Sequence, residues 1–206
     1  MLTLFANLKG GTGKSTVVFN MAMSRVAQGK KVTVCDLDPQ RTVSDVASIR
    51  KEDGIEPPLN VVHKLPEKGK MRGDWLIDVG TSDMDAVRNA IRICTQIVIP
   101  VTPSQADIWA TQRFLQIVSD TLGKKKTPKI MAFINRADTH PLSRENDETM
   151  EALSALSQIK ALEEKLMQRM AFRRSFSEGM AVFELEPRGK AAAELKALAS
   201  AIYKKS

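Results

Sequence analysis

One eight-residue stretch constrains this chain more than any other: Lys9-Gly10-Gly11-Thr12-Gly13-Lys14-Ser15-Thr16. Its second half, Gly13-Lys14-Ser15, is the working end of a loop that cradles phosphate. Backbone N–H groups surround the anion, Lys14 reaches the β/γ oxygens and Ser15 holds Mg²⁺. The spacing follows G-x-x-x-x-G-K-[ST] except at the first glycine, where Leu8 stands, and Lys9 and the Gly10-Gly11 pair are added. The loop therefore carries one lysine more than phosphate binding requires. Before it, the apolar run 1–8 with Leu2, Leu4 and Phe5 reads as a buried strand. Behind it, Val18, Met21, Ala22 and Val26 recur at helical steps, and Gly29 supplies a stop. Strand, loop and helix together aim a helix N-terminus at an anion. A glycine-rich turn with incidental lysines does not account for all three.

The rest of the chain repeats the strand-and-helix alternation. Segments 31–35 (KVTVC), 59–62, 75–79 (WLIDV), 96–101 (QIVIPV) and 130–134 (IMAFI) read as strands, and 42–51, 83–93 and 105–122 as helices. Gly54 to Pro58 breaks the second helix. Two or three further helices end with Ala191, Leu195, Leu198 and Ile202 on one stripe, and 138–147 reads as the flexible loop. This pattern predicts an α/β fold, a doubly wound, mainly parallel β-sheet flanked by helices, with ligand at the carboxyl ends of the strands. With 206 residues, 43% hydrophobic and 27% charged, the expectation is a single domain spanning 1–206 with a substantial core. No apolar run approaches the roughly 18 residues of a membrane span, and the early phosphate loop leaves no room for a charged leader. Cys35 and Cys94 lack metal-like spacing and read as reduced, buried thiols. The compartment expected is the cytoplasm.

Three more constellations fall where a nucleotide site needs them. Asp36-Leu37-Asp38-Pro39-Gln40 closes the second strand with two carboxylates two residues apart. They would bind Mg²⁺ through water or orient an attacking water; the alternative is a turn whose aspartates only cap. Asp74-Trp75-Leu76-Ile77-Asp78 is a strand ending in an acid, which fits a carboxylate serving the metal. Phe133-Ile134-Asn135-Arg136 ends an apolar strand in a pair that suits the adenine edge, or equally an ordinary turn.

Taken together, these residues resemble the ParA/MinD family of P-loop ATPases. Residues Lys9 to Thr16 are similar to its deviant Walker A motif, and Asp36 to Gln40 to its D-x-D-P-Q segment. Pro100-Val101-Thr102-Pro103-Ser104 with Asp107 resembles the stretch after the family's central strand, and Asn135-Arg136 its base-recognition pair. Phe172-Arg173-Arg174-Ser175-Phe176-Ser177-Glu178-Gly179 resembles a ParA-type ending. With no DNA-binding domain before the P-loop, the chain looks most like the short ParA-like partition ATPases. Two departures stand out: a short Pro-, Gly- and Lys-rich stretch at 53–73, and Val79-Gly80-Thr81 where the family usually has Thr-Pro-Pro.

The resemblance implies ATP and Mg²⁺ as ligands, with Gly10, Gly11, Thr12, Gly13, Lys14, Ser15 and Thr16 at the phosphates and Asn135 and Arg136 at the base. It implies Ser15, Asp36 and Asp78 around the metal, Asp38 positioning the hydrolytic water, and Lys9 crossing to phosphate in a partner subunit. The active form would be an ATP-bound homodimer whose slow hydrolysis is stimulated by a ParB-like or adaptor protein. Non-specific DNA would be the track for segregating a plasmid or other cargo, giving nucleoid association; a MinD-like membrane-surface ATPase is the alternative. Charge points towards DNA. The chain has net charge +7, and from Lys165 onward nine basic residues (Lys165, Arg169, Arg173, Arg174, Arg188, Lys190, Lys196, Lys204, Lys205) face four acids. Such a cluster holds phosphate backbone without reading sequence; the competing reading is a solvated basic face.

Overall fold

A computed structural model describes residues 1–67, 71–140 and 143–204. Strands β1 (Leu2–Phe5), β2 (Val32–Asp36), β3 (Val61–Val62), β4 (Asp74–Asp78), β5 (Gln96–Val101), β6 (Lys129–Ala137) and β7 (Lys160–Ala161) form one sheet in the order β3-β2-β4-β1-β5-β6-β7. A further pair of residues, β8 (Leu166–Met167), joins β6. Among the described residues every strand pairing is parallel. The strands therefore need covering on both faces, which is why they read as almost unbroken apolar runs.

The helices are α1 (Lys14–Ala27), α2 (Thr42–Glu52), α3 (Met84–Ile93), α4 (Gln105–Leu122), α5 (Glu145–Ser154), α6 (Met170–Ser177), α7 (Val182–Leu185) and α8 (Lys190–Tyr203). Alternation along the strands sorts side chains between two cores. On one face Phe5, Leu76, Val98, Met131 and Phe133 pack with residues of α1, α7 and α8. On the other Leu2, Leu4, Ile77, Ile97, Ile99 and Ile130 pack with residues of α3 and α4. The C-terminal stripe of Ala191, Leu195, Leu198 and Ile202 is spent inside the first core.

Strands and helices lie where the apolar patterning puts them, with two differences. β7 and β8 are two-residue strands with no periodicity to announce them. The expected loop 138–147 overlaps α5 from Glu145 on, and Asn146 in that helix exchanges hydrogen bonds with the Asp138 backbone (N–H to Oδ1 3.1 Å, Nδ2 to O 2.9 Å). Within that span 141–142 lie outside the described residues, as do 68–70 in the short stretch before β4 and Lys205 of the basic cluster.

One buried cation joins distant parts of the chain. Arg50 on α2 is wholly buried, and its guanidinium donates to Pro57 O (2.7 Å), Gly179 O (3.0 Å) and both Glu184 carboxylate oxygens (2.8 Å each). Gly179 has φ 65°, and a Cβ there would lie 2.7 Å from the Arg50 nitrogen. Only glycine fits so close an approach in that conformation.

Candidate nucleotide site

The register of the central strands gathers the site. Phe5 on β1, Asp78 on β4 and Asp36 on β2 are successive lateral neighbours. The chain leaving β1 thus enters the glycine loop directly beside two strand-ending carboxylates. Gly11 and Gly13 have φ of 77° and 80°, and no side chain caps the start of α1. The helix N-terminus is left to an anion.

Two cavities meet at Gly13 and Thr16. One, of about 510 Å³, is walled by the loop residues Gly10, Gly11, Gly13, Lys14, Ser15 and Thr16, by Asp38, Pro39, Gln40 and Thr42, and by Thr81 and Ser82. It is polar, with Lys14, hydroxyls and the glycine loop on its walls, as a triphosphate requires. The other, of about 380 Å³, runs past Asn135 and Arg136 between Leu166, Met167, Phe172 and Phe176. Its apolar walls suit a nucleoside. The motif reading missed this second wall: Leu166 and Met167 lie in the unforeseen β8, and Phe172 and Phe176 were known only as a C-terminal signature. Their spacing of four on one helix was the available signal.

Asn135 and Arg136 brace the loop. The Asn135 amide donates to Thr12 O (2.6 Å), and Arg136 donates to Gly11 O (2.8 Å) and Gln168 Oε1 (2.7 Å). β8 pairs with Asn135 and Ala137 across a bulge at Arg136, whose φ is 56°. The bulge turns Asn135 inward and Arg136 outward. A Cβ on Gly13 would lie 2.7 Å from the Asn135 amide nitrogen, so this glycine is also required by close packing.

The carboxylates differ in their partners. Asp36 is fully buried and taken up by protein donors: Ser44 gives its backbone N–H (2.9 Å) and hydroxyl (2.6 Å) to Oδ2, and the Asp38 N–H approaches Oδ1 (3.3 Å). Asp38 is half-buried, accepts from the Gln40 N–H (2.9 Å) and lines the phosphate cavity. Gly80 lies against it; a Cβ there would meet Asp38 Cγ at 3.1 Å and Pro39 Cδ at 3.0 Å. Asp78 is also fully buried, yet neither carboxylate oxygen makes a hydrogen bond of good geometry. Burial pushes its carboxyl up to about 7, against the Ser15 hydroxyl and Lys14 ammonium nearby, which favour the charged form. Burial likewise lowers Lys14, while Asp78 and Asp38 oppose that shift.

Mg²⁺ characteristically takes one or two carboxylates, several waters and phosphate oxygens. A buried carboxylate with no hydrogen bond of good geometry, beside Ser15 and Lys14, fits that demand. Of the three residues expected around the metal, Ser15 and Asp78 lie side by side, and Asp36 is held by Ser44.

Lys9 lies elsewhere. It lines no wall of the phosphate cavity. Its ammonium reaches Asp107 Oδ2 at 2.5 Å, and its backbone N–H donates to Asn7 Oδ1 (3.1 Å). Asp107, on the first turn of α4, is fully buried and also accepts from the Ser104 hydroxyl. Burial alone would raise its carboxyl, but Lys9 and Ser104 hold it below the usual carboxylate value, helped by Thr102.

Comparison with known proteins agrees with this geometry. The model of the "CobQ/CobB/MinD/ParA nucleotide binding domain" matches residues 3–182. The chain is 30% identical over 201 residues to the Maintenance of carboxysome distribution protein A of Halothiobacillus neapolitanus, covering 92% of this chain and 89% of that protein. Its fold matches a candidate plasmid partition protein from Borrelia burgdorferi B31 bound to AMPPNP (TM-score 0.77, 15% identity, 100% and 99% of the two chains). It also matches the septum site-determining protein MinD complexed with Mg-ADP from Pyrococcus horikoshii OT3 (TM-score 0.73, 18% identity, 98% and 96%). The chain belongs to the CobQ/CobB/MinD/ParA family of nucleotide-binding domains and has the fold of its ParA/MinD members.

Proposed function

We propose that this ParA/MinD-family protein is an ATP-driven positioning switch: it binds ATP with Mg²⁺, pairs with a second copy, holds non-specific DNA and releases it on hydrolysis. The observation that carries the reading is the phosphate cavity, where Lys14, Ser15 and Asp38 from two loops converge, with the buried Asp78 close to Ser15 and Lys14. Lys14 would contact the terminal phosphates, and Ser15 and Asp78 would hold the cation, which when bound supplies positive charge to the phosphates. Asp38, at the cavity wall and fixed by the Gln40 N–H, orients the attacking water. Gly80 permits that position. Lys9, absent from its own cavity, is available to a partner's phosphate. A charge-assisted contact of this kind is lost when the γ-phosphate leaves, so dimers form with ATP and relax with ADP. A ParB-like or adaptor protein would accelerate the step.

DNA binding rests on the C-terminal third. Arg173, Arg188, Lys190 and Lys196 are exposed, whereas Arg169 and Arg174 are paired with Glu194 and Glu186. The cluster is smaller than its composition suggests, and a dimer doubles it. The carboxysome-distribution name of one relative favours positioning of a cargo as much as plasmid partition. A MinD-like membrane-surface role needs an exposed apolar helix stripe. The stripe of α8 faces the core, and no helix among the described residues is long and apolar enough to cross a membrane.

Sedimentation velocity with Mg-AMPPNP or Mg-ADP, paired with band shifts on unrelated DNA fragments, tests the proposal. A heavier particle and tighter DNA binding only with AMPPNP are expected. Equal mass and equal DNA affinity in both nucleotides would end it.

A further inference from the structure

Lys9 and Asp107 are 98 positions apart in sequence, yet they form the shortest ion pair of the site. Ser104 explains only half of this arrangement. Its hydroxyl accepts from the Asp107 N–H (3.2 Å) and donates to Oδ2 (2.5 Å), an arrangement that caps α4 with or without Lys9. The added element is the ammonium on the same oxygen. Asp107 is fully enclosed, its Oδ1 makes no hydrogen bond of good geometry, and the Lys9 side chain remains 42% exposed. The anion is thus fixed inside the protein, whereas the cation can leave.

We propose that Asp107 is a resting anion for Lys9, a positioning residue that keeps the extra loop lysine folded back within its own subunit and so sets how much phosphate charge a partner must offer before the two copies close. This rests on the ATP-sandwich reading above. Lys9 cannot serve both anions. Its own chain's Asp107 pulls it towards α4, and a partner's phosphates would draw it across the seam. Departure leaves a carboxylate buried without its cation, which is costly. A triphosphate with its cation in place offsets that cost more fully than a diphosphate, so the same contact that restrains dimerisation sharpens its nucleotide selectivity.

The experiment compares wild type with Asp107→Asn, which keeps the shape and the acceptor for Ser104 but removes the charge. Two readouts are taken. Sedimentation across a protein concentration series with Mg-AMPPNP and with Mg-ADP gives dimer affinity. Mass-spectrometric acylation rates give the accessibility of the Lys9 amine in nucleotide-free protein. Asp107→Asn should tighten the AMPPNP dimer about tenfold, produce measurable dimer with ADP, and raise Lys9 acylation several-fold; a residue that merely caps α4 would do none of these. A folded Asp107→Asn whose dimer is no tighter, or whose Lys9 labels at the wild-type rate, overturns the inference and leaves the sandwich reading intact. Wild type that binds AMPPNP and stays monomeric overturns both. Should Asp107→Asn not fold, the wild-type labelling carries the test: Lys9 must acylate more slowly than Lys190 and Lys196 and gain on them as salt is raised. Equal rates at low salt overturn the inference.

Discussion

Two aspartates at the rim of the same sheet, Asp78 at the end of β4 and Asp107 at the start of α4, are equally buried and electrostatically opposite. Asp78 has only the Ser15 hydroxyl and the Lys14 ammonium nearby, neither in a hydrogen bond of good geometry, and its carboxyl is pushed up to about 7. Asp107 has Lys9 and Ser104, and its carboxyl is held below the ordinary range although its surface is fully covered. Burial alone does not decide the state of a carboxylate; a cation and donors in direct contact with it count as well. At Asp107 the chain provides its own cation. At Asp78 the Lys14 ammonium and Ser15 hydroxyl stand near without offsetting burial.

The comparison breaks most sharply at Asp78. Asp78→Asn should lower Mg²⁺-supported ATP affinity by about two orders of magnitude, measured by calorimetry with and without EDTA, because the buried acid beside Ser15 is the one placed to serve the metal. Unchanged magnesium dependence would mean that it serves no cation.

The converse change, Lys9→Ala, strands Asp107. It should cost about 1–3 kcal/mol of stability in urea unfolding and abolish AMPPNP-dependent dimerisation. The double variant Lys9→Ala/Asp107→Asn should recover most of the stability but none of the dimer. If the single variant is as stable as wild type, the ion pair is not what tolerates the buried charge.

Titration should separate the two acids by sign. In metal-free protein Asp78 keeps its proton up to about pH 7, whereas the unfolded chain loses it near 3.8. The folded state therefore binds more protons across that window, and stability falls as pH rises from about 4 to 7. Asp107 is depressed, so its contribution is present above 3.8 and lost only on further acidification. Urea midpoints of wild type and Asp78→Asn between pH 5 and 8 should differ in slope, with the decline missing in the variant. The smallest effect belongs to Gly80→Ala, where a methyl group pressed on Asp38 should slow turnover a few-fold and leave nucleotide binding within about twofold.

Much of this was legible in the chain. The glycine loop, the apolar strands and the acids at their ends are local patterns, and their parallel register follows once the strands are recognised. The pairing of Lys9 with Asp107 was not legible, since both were visible but nothing local relates residues 98 positions apart. Nor were the two-residue β7 and β8, which are too short to carry a period and exist because β6 offers them an edge. The bracing of Thr12 by Asn135 escaped for the same reason: the residue was marked as functional, but its partner is set by the tertiary fold. The closeness of Gly80 to Asp38 was visible only as an unusual residue after Asp78.

The fully enclosed guanidinium of Arg50 has a consequence for how the molecule comes into being. Its acceptors Gly179 and Glu184 are made 129 and 134 residues later. Until residue 184 has left the ribosome, the guanidinium in the first quarter of the nascent chain lacks its native carboxylate partner. The burial of Arg50 on α2 is therefore completed only when the C-terminal part of the chain arrives. A lysine there, with three donors in place of five, would close the circuit incompletely even once the tail arrives.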